Sequence, residues 1–61
     1  MKITRVYLVD SEDTLEFYNF KDAATWFANE SDDVKKIAQA MRIAEAQKIR
    51  YKGFRVYADR K

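Results

Sequence analysis

The 61-residue sequence predicts one small α+β domain, spanning residues 1–61, with the element order β-β-α-α-β. Three observations support this prediction: two β-rich segments separated by a polar turn near the N-terminus, two stretches of helical apolar spacing in the middle, and a third β-rich segment at the end. We expect a small three-stranded antiparallel sheet packed against two helices, with the third strand beside the first. A chain of this length forms one hydrophobic core.

The first two strands are predicted to form a hairpin. β-branched and aromatic residues are dense over Ile3–Val9, as in strands, and their alternation places Val6 and Leu8 on one face. The polar segment 10–13 has turn chemistry, and the alternation resumes at Thr14. One face of this hairpin should therefore cover the core while the other points outward.

Two amphipathic helices should follow the hairpin. Asn19 is a suitable N-cap for the first, whose apolar residues recur at helical spacing over 20–28. Ser31 is predicted to cap the second helix, with two aspartates in its first turn. The apolar stripe of that helix fails beyond Ala44, so the helix should end between Ala44 and Lys48.

The last β-rich segment, 49–59, is predicted to be the third strand. Phe54 and Val56 alternate with Arg55, which is the pattern of a strand with one buried face. Gly53 is the only glycine, and it is expected to supply a bulge or a turn where this strand begins.

The residue types that are present argue against an enzyme. The chain has no His and no Cys, which removes the usual acid–base group and any thiol chemistry. The carboxylates of segment 10–13 match no calcium loop, and no glycine-rich phosphate loop occurs. We therefore expect no catalytic residue, metal or cofactor. No apolar run reaches membrane-spanning length, and 36% of the residues are charged, so a cytoplasmic protein that binds another macromolecule is predicted.

The charges are divided unevenly along the chain. Residues 1–33 carry three basic and eight acidic side chains, a balance of −5, whereas residues 34–61 carry nine basic and two acidic ones, a balance of +7. A basic half favours an anionic partner, nucleic acid first and an acidic protein second. The alternative is that folding interleaves the two halves and cancels much of this asymmetry.

Basic and amide side chains occupy the side of the second helix opposite its apolar stripe. These residues are Lys35, Lys36, Gln39 and Arg42. Arg and Gln can pair bidentately with guanine and adenine in a major groove, and a short helix followed closely by a second one is the arrangement of a helix-turn-helix reader. The alternative is an ordinary solvated helix face.

The C-terminal strand interleaves basic and aromatic residues. Arg50, Lys52 and Arg55 suit contact with phosphate, and the aromatic side chains between them suit base stacking. Arg5, Tyr7, Tyr18, Arg55 and Tyr57 are expected to share the outward sheet face as a second candidate surface. The alternatives are protection of an edge strand by charge and simple pairing of tyrosines across strands.

Two segments carry a resemblance to a known family. They are Phe17-Tyr18-Asn19-Phe20-Lys21-Asp22-Ala23-Ala24 and Tyr51-Lys52-Gly53-Phe54-Arg55-Val56. With the hairpin and the second helix, they resemble the nuclease-associated modular DNA-binding domains that accompany homing endonucleases and some phage nucleases. The resemblance implies a helix-turn-helix-like DNA-binding domain. Lys35, Gln39 and Arg42 would read DNA, and Lys52 and Arg55 would support them.

Two functions are therefore predicted from the sequence. The first is DNA binding through the second helix and the basic C-terminal strand, which requires one continuous positive face. The second is a small phage or mobile-element protein that binds and modulates a host protein. Candidate contacts for such a partner are Trp26 and Ile43, which fall off their apolar stripes, and the outward Tyr57.

Overall fold

A computed structural model of the chain describes residues 2–61. The elements, in chain order, are β1 (Ile3–Val9), β2 (Thr14–Phe17), α1 (Phe20–Phe27), α2 (Val34–Gln47), β3 (Arg50–Tyr51) and β4 (Phe54–Arg60). This confirms an α+β fold with two helices and an antiparallel sheet. Within residues 2–61, neither helix combines the length and the apolar character that a membrane crossing requires.

The sheet has four strands rather than the three predicted, in the order β2-β1-β4-β3. The additional strand arises because the predicted strand 49–59 is divided by a turn at Lys52 and Gly53, and Tyr51 then pairs with Phe54. Both turn residues have positive φ, 48° and 89°, as a two-residue hairpin turn of type I′ requires. The turn expected at Gly53 is present directly before β4, and it also joins β4 to the additional strand β3.

The longest pairing in the sheet joins its two central strands. β1 and β4 run antiparallel from Val9 opposite Arg55 to Ile3 opposite Arg60, with an irregularity between Ile3 and Arg5. This confirms that the C-terminal strand lies beside the first one. β2 pairs with β1 over Val6 to Val9 only, so it covers one end of the ribbon.

The helix boundaries follow from local hydrogen bonds. The Asn19 side chain accepts from the backbone N–H of Asp22 at 2.8 Å, which confirms Asn19 as the first N-cap. Ser31 was the wrong cap for α2: the cap is Asp33, whose carboxylate accepts from the backbone N–H of Lys35 at 3.0 Å. Ser31 lies instead in a turn closed by bonds between residues 29 and 32.

α2 ends at Gln47, inside the predicted interval. Lys48 takes a left-handed conformation with φ 58°, and the N–H of Ile49 donates to the carbonyl of Ala44 at 3.0 Å. This arrangement satisfies the carbonyls at the helix end and turns the chain toward β3. Glycine is the usual residue at such a position, so Lys48 holds a strained backbone conformation.

The core lies between the two helices and one face of the sheet. Its buried residues are Val6, Leu8, Phe20, Ala23, Ala24, Ala38, Met41, Ala44 and Val56. Four of the nine are alanines, and their small side chains allow α1 and α2 to pack closely against each other and the sheet. Both helices therefore cover the same face, and within residues 2–61 no other element packs on the opposite, outer face of the sheet.

Candidate nucleic-acid interfaces

The predicted DNA-binding residues divide between two sides of the molecule. α2 buries Ala38 and Met41 against the sheet, so its basic stripe points away from the sheet. In β4, Val56 points to the core, and Arg55 points to the outer face because strand side chains alternate. Arg50 is opposite Arg55 in the register and shares that face. The expected continuous surface of second helix and C-terminal strand is therefore not formed.

The first surface is a groove between the two helices, which we call the helix groove. Residues of both helices line it: Lys21, Asp33, Val34, Lys35, Ala38, Gln39 and Arg42. Lys35, Gln39 and Arg42 lie on successive turns of α2 on the side that faces α1. Lys21 of α1 adds a cation that the sequence interpretation missed. Lys36 is exposed beside the groove and does not line it.

Arg42 is held in position at the helix groove by an aromatic ring. The Cζ atom of its guanidinium lies 5.5 Å from the centroid of the Phe20 ring, and Phe20 itself is buried. A guanidinium over a ring face gains a cation–π attraction while its N–H groups stay available to a ligand. Asp33 is the one carboxylate among the groove-lining residues, and it already caps α2.

The second surface is the outer face of the sheet, on which side chains form rows across the strands. The register places Tyr7 opposite both Tyr57 and Glu16. A second row joins Arg50, Arg55 and Val9. The third row places Arg5 opposite Asp59, and Tyr18 lies against Arg5 with 4.7 Å between the Cζ atom and the ring centroid.

Both carboxylates of the outer face have partners on that face. Arg5 donates from Nε to Oε2 of Glu16 at 3.0 Å, and the Tyr7 hydroxyl donates to Oδ2 of Asp59 at 3.2 Å. Desolvation, together with the bond to Asp59, raises the pKa of Tyr7. Arg50 and Arg55 are different, since among residues 2–61 neither has a carboxylate within 4.0 Å.

Strained, left-handed backbone conformations occur on both sides of β3. The two non-glycine residues with positive φ in the described chain are Lys48 and Lys52, and they flank the two residues of β3. Lys52 therefore sits at the tip of the β3–β4 hairpin, with its Nζ 5.7 Å from the centroid of the Tyr51 ring. Left-handed conformations cost non-glycine residues roughly 1–2 kcal/mol each, and such costs are often found near functional sites.

The residues predicted to bind a protein partner do not form one patch. Trp26 is 53% exposed and packs against core-facing aromatic rings, with centroids 6.3 Å from Phe17 and 6.0 Å from Phe54. Ile43 is exposed on α2. Tyr57, 48% exposed, lies on the outer face of the sheet. The sheet therefore separates Tyr57 from Trp26.

The acidic turn 10–13 is closed by its own hydrogen bonds. The Asp10 carboxylate accepts from the backbone N–H groups of Glu12 and Asp13 at 2.8 and 2.7 Å. These two donors hold the pKa of Asp10 below its usual value. Within residues 2–61, no group of three or more His, Cys, Asp or Glu side chains is arranged to hold a metal ion. The geometry here is that of a turn.

The fold and its surfaces define a small two-layer α+β domain with a basic helix groove and an open, tyrosine-bearing sheet. Comparison of the chain with protein-family models, with curated proteins and with solved structures finds no match. The resemblance to nuclease-associated DNA-binding domains therefore stays a prediction from the residues quoted above.

Proposed function

We propose that the protein is a non-catalytic DNA-binding domain and that it contacts duplex DNA through the helix groove. The observation that carries this proposal is the convergence of Lys21 from α1 with Lys35, Gln39 and Arg42 from α2 on one exposed surface. Basic groups that converge from two elements provide the electrostatic attraction on which DNA affinity largely depends.

The dimensions of α2 suit a major groove. From Lys35 to Arg42 the helix rises by about 10 Å, which corresponds to roughly three base pairs of duplex. A major groove about 12 Å wide admits one α-helix. Arg42 and Gln39 have the side chains that pair bidentately with guanine and adenine, and Lys21 and Lys35 would contact phosphates on either side.

Binding of a fluorescent mixed-sequence duplex, measured by anisotropy at several salt concentrations, tests this proposal. The two phosphate contacts of Lys21 and Lys35 give a log–log salt slope near −1.8, a loss of about 12-fold between 50 and 200 mM salt. Arg42→Ala and Lys35→Ala should each weaken binding, and a lost phosphate contact should make the slope less steep by about 0.9. Gln39→Ala should change the preference among sequences and leave the slope unchanged.

The matched control is Lys61→Ala, which removes the same charge at a residue that does not line the helix groove. The proposal requires that Lys61→Ala have a much smaller effect than Arg42→Ala on duplex affinity. Equal effects would show attraction by net charge alone, and the absence of binding at 50 mM salt would exclude a DNA-binding role for the groove.

A protein partner is the second candidate, because Trp26 exposes about half of its surface beside an aromatic cluster. Trp26 is also the only tryptophan, so its fluorescence reports directly on this surface. Under this candidate, a captured partner should shift the Trp26 emission to shorter wavelength, and Trp26→Ser should abolish capture while Arg42→Ala does not. Retained capture by Trp26→Ser would exclude this surface.

A further inference from the structure

The β3–β4 hairpin places two like charges directly opposite each other. Arg50 and Arg55 are register partners, and side chains in such positions have Cβ atoms roughly 4.5–5.5 Å apart. Like charges in this arrangement destabilise a sheet. No carboxylate among residues 2–61 lies within 4.0 Å of either guanidinium. The two exposed guanidiniums therefore lie side by side without an ion-pair partner among residues 2–61.

The two non-glycine residues with positive φ among residues 2–61 lie in this hairpin or just before it. Lys48 and Lys52 hold left-handed conformations on either side of β3, with φ 58° and 48°. The like charges and the left-handed residues both oppose folding of this short segment. Local features that oppose the overall fold are expected at functional sites. An anion placed between Arg50 and Arg55 would remove the repulsion, because each guanidinium offers several N–H donors to phosphate oxygens.

Aromatic rings lie in the row adjacent to the arginine pair. Tyr57 is 48% exposed, and the Cζ atom of Arg55 lies 6.0 Å from its ring centroid. Tyr7 is directly opposite Tyr57 on the neighbouring central strand. Arginines beside tyrosines on an open sheet match the two needs of a single-stranded nucleic acid, which are neutralised phosphates and ring faces for unpaired bases.

We propose that the outer face of the sheet is a second binding site, specific for single-stranded nucleic acid, in which Arg50 and Arg55 hold a phosphate and Tyr57 and Tyr7 stack bases. Glu16 lies directly beside Tyr7 on the β2 side, and Asp59 accepts the hydrogen bond of the Tyr7 hydroxyl. Both carboxylates repel phosphate, so they limit the phosphate position to Arg50 and Arg55, near the β3–β4 turn. A duplex would not suit this site, because its bases are stacked on each other. The site is independent of the helix groove.

Anisotropy with a fluorescent twelve-nucleotide oligothymidine at 50 mM salt tests the site. Tyr57→Ala should weaken binding by about 5-fold or more, the usual loss for one stacked base, and Tyr57→Phe should retain it. Arg55→Thr should also weaken binding. Because Arg50 and Arg55 share one phosphate, the double variant Arg50→Thr/Arg55→Thr should make the salt slope less steep by about 0.7, the value for one contact to a single strand. Arg42→Ala should leave oligothymidine affinity unchanged.

The thermal stability of the arginine variants is a second test, and it should change in the opposite direction to their affinity for oligothymidine. Arg50→Thr and Arg55→Thr each remove one of the two facing charges, so both variants should unfold at a higher temperature than the wild type. Added salt screens the repulsion, so 500 mM sodium chloride should raise the midpoint of the wild type more than that of either variant. A variant that unfolds at a higher temperature than the wild type but binds oligothymidine more weakly has lost the binding site and not the fold.

Several outcomes would overturn the inference. They are no oligothymidine binding at 50 mM salt, an unchanged affinity in Tyr57→Ala, and arginine variants less stable than the wild type. Displacement of oligothymidine by a poly-glutamate peptide of equal charge and at equal concentration would show an anion surface without preference for nucleic acid. If the duplex fails to bind and oligothymidine binds as described, the proposed function of the helix groove fails and the sheet site stands.

Discussion

The turns of the two hairpins in the sheet are stabilised in different ways. The β1–β2 hairpin uses a side chain, since the Asp10 carboxylate accepts two backbone N–H groups of its own turn. The β3–β4 hairpin uses backbone conformation, with Lys52 and Gly53 both at positive φ. The first hairpin pairs its outer-face charges in the Arg5–Glu16 salt bridge, whereas the second holds Arg50 opposite Arg55.

This difference fits the proposal that the second hairpin binds a ligand, whereas the first hairpin contributes chiefly to stability. The β1–β2 hairpin contributes Val6 and Leu8, both fully buried, and its outer-face charges Arg5 and Glu16 pair with each other. The β3–β4 hairpin is anchored by the buried Val56 but leaves the guanidiniums of Arg50 and Arg55 without carboxylate partners among residues 2–61. In a domain with so small a core, local features that oppose folding are expected at functional or strained sites, which is why we place the proposed binding site here.

The largest effect should come from the core of the first hairpin. Leu8 is fully buried, so Leu8→Ala should cost about 2–5 kcal/mol, which approaches the roughly 3–5 kcal/mol that a core of this size supplies. The variant should be largely unfolded at 25 °C by far-ultraviolet circular dichroism. Tyr51→Ala in the second hairpin, where the side chain is only half-buried, is the control and should remain folded. A cooperative, near-wild-type unfolding curve for Leu8→Ala would contradict the comparison.

The turn of the second hairpin should show the next largest effect. Gly53 has φ 89°, and a Cβ added there would meet nothing within 4 Å, so the cost of Gly53→Ala is that of the backbone conformation alone. We expect a loss of about 1–2 kcal/mol in urea unfolding. Ser11→Ala in the turn of the first hairpin should be nearly neutral. If Gly53→Ala is also neutral, the turn does not depend on positive φ.

A smaller change of opposite sign is expected at Lys52. Asparagine tolerates the left-handed conformation better than lysine, and Asn-Gly is the preferred pair for a two-residue turn of type I′. Lys52→Asn should therefore stabilise the protein by roughly 0.5 kcal/mol in the same urea assay. Lys52→Ala removes the same charge without this preference and should give no gain. Equal gains would assign the effect to charge.

The smallest effect should be the pH dependence of the first turn. Backbone donors lower the pKa of Asp10 in the folded state, so its contribution is present above the unfolded pKa of about 3.9 and is lost as the pH falls through the lower folded pKa. Asp10→Asn keeps an acceptor oxygen but does not titrate. The wild type should melt above this variant near neutral pH, and the difference should shrink below pH 4. A constant difference from pH 7 to pH 2.5 would contradict this account.

Much of the fold follows from periodicity and capping chemistry. The limits of β1, the cap at Asn19 and the end of α2 before Lys48 match the predictions because each depends on neighbouring residues. The division of the last strand at Lys52 and Gly53 was not predicted, since lysine is not a usual residue for a left-handed position. The prediction of Ser31 as the N-cap of α2 was wrong because Asp33 lies at the helix start and residues 29–32 form a separate turn.

The candidate sites were predictable in part. Helical spacing identified the exposed stripe of α2, but a sequence does not show which sides of two helices adjoin. Lys21 was missed for that reason. The arginine pair was missed because Arg50 faces Arg55 only when the two-residue turn exists. The expected continuous surface of the second helix and the C-terminal strand is not formed, because both helices pack on one face of the sheet. The exposed residues of the helices and those of the outer sheet face therefore lie on opposite sides of the domain.

The ends of the described chain meet at one place on the domain. Lys2 and Lys61 exchange two backbone hydrogen bonds, at 3.3 and 2.8 Å, at the end of the β1–β4 ribbon away from both hairpin turns. A unit whose entry and exit points coincide can be inserted into a surface loop of another protein, or closed into a ring by a short linker, without distortion of either partner.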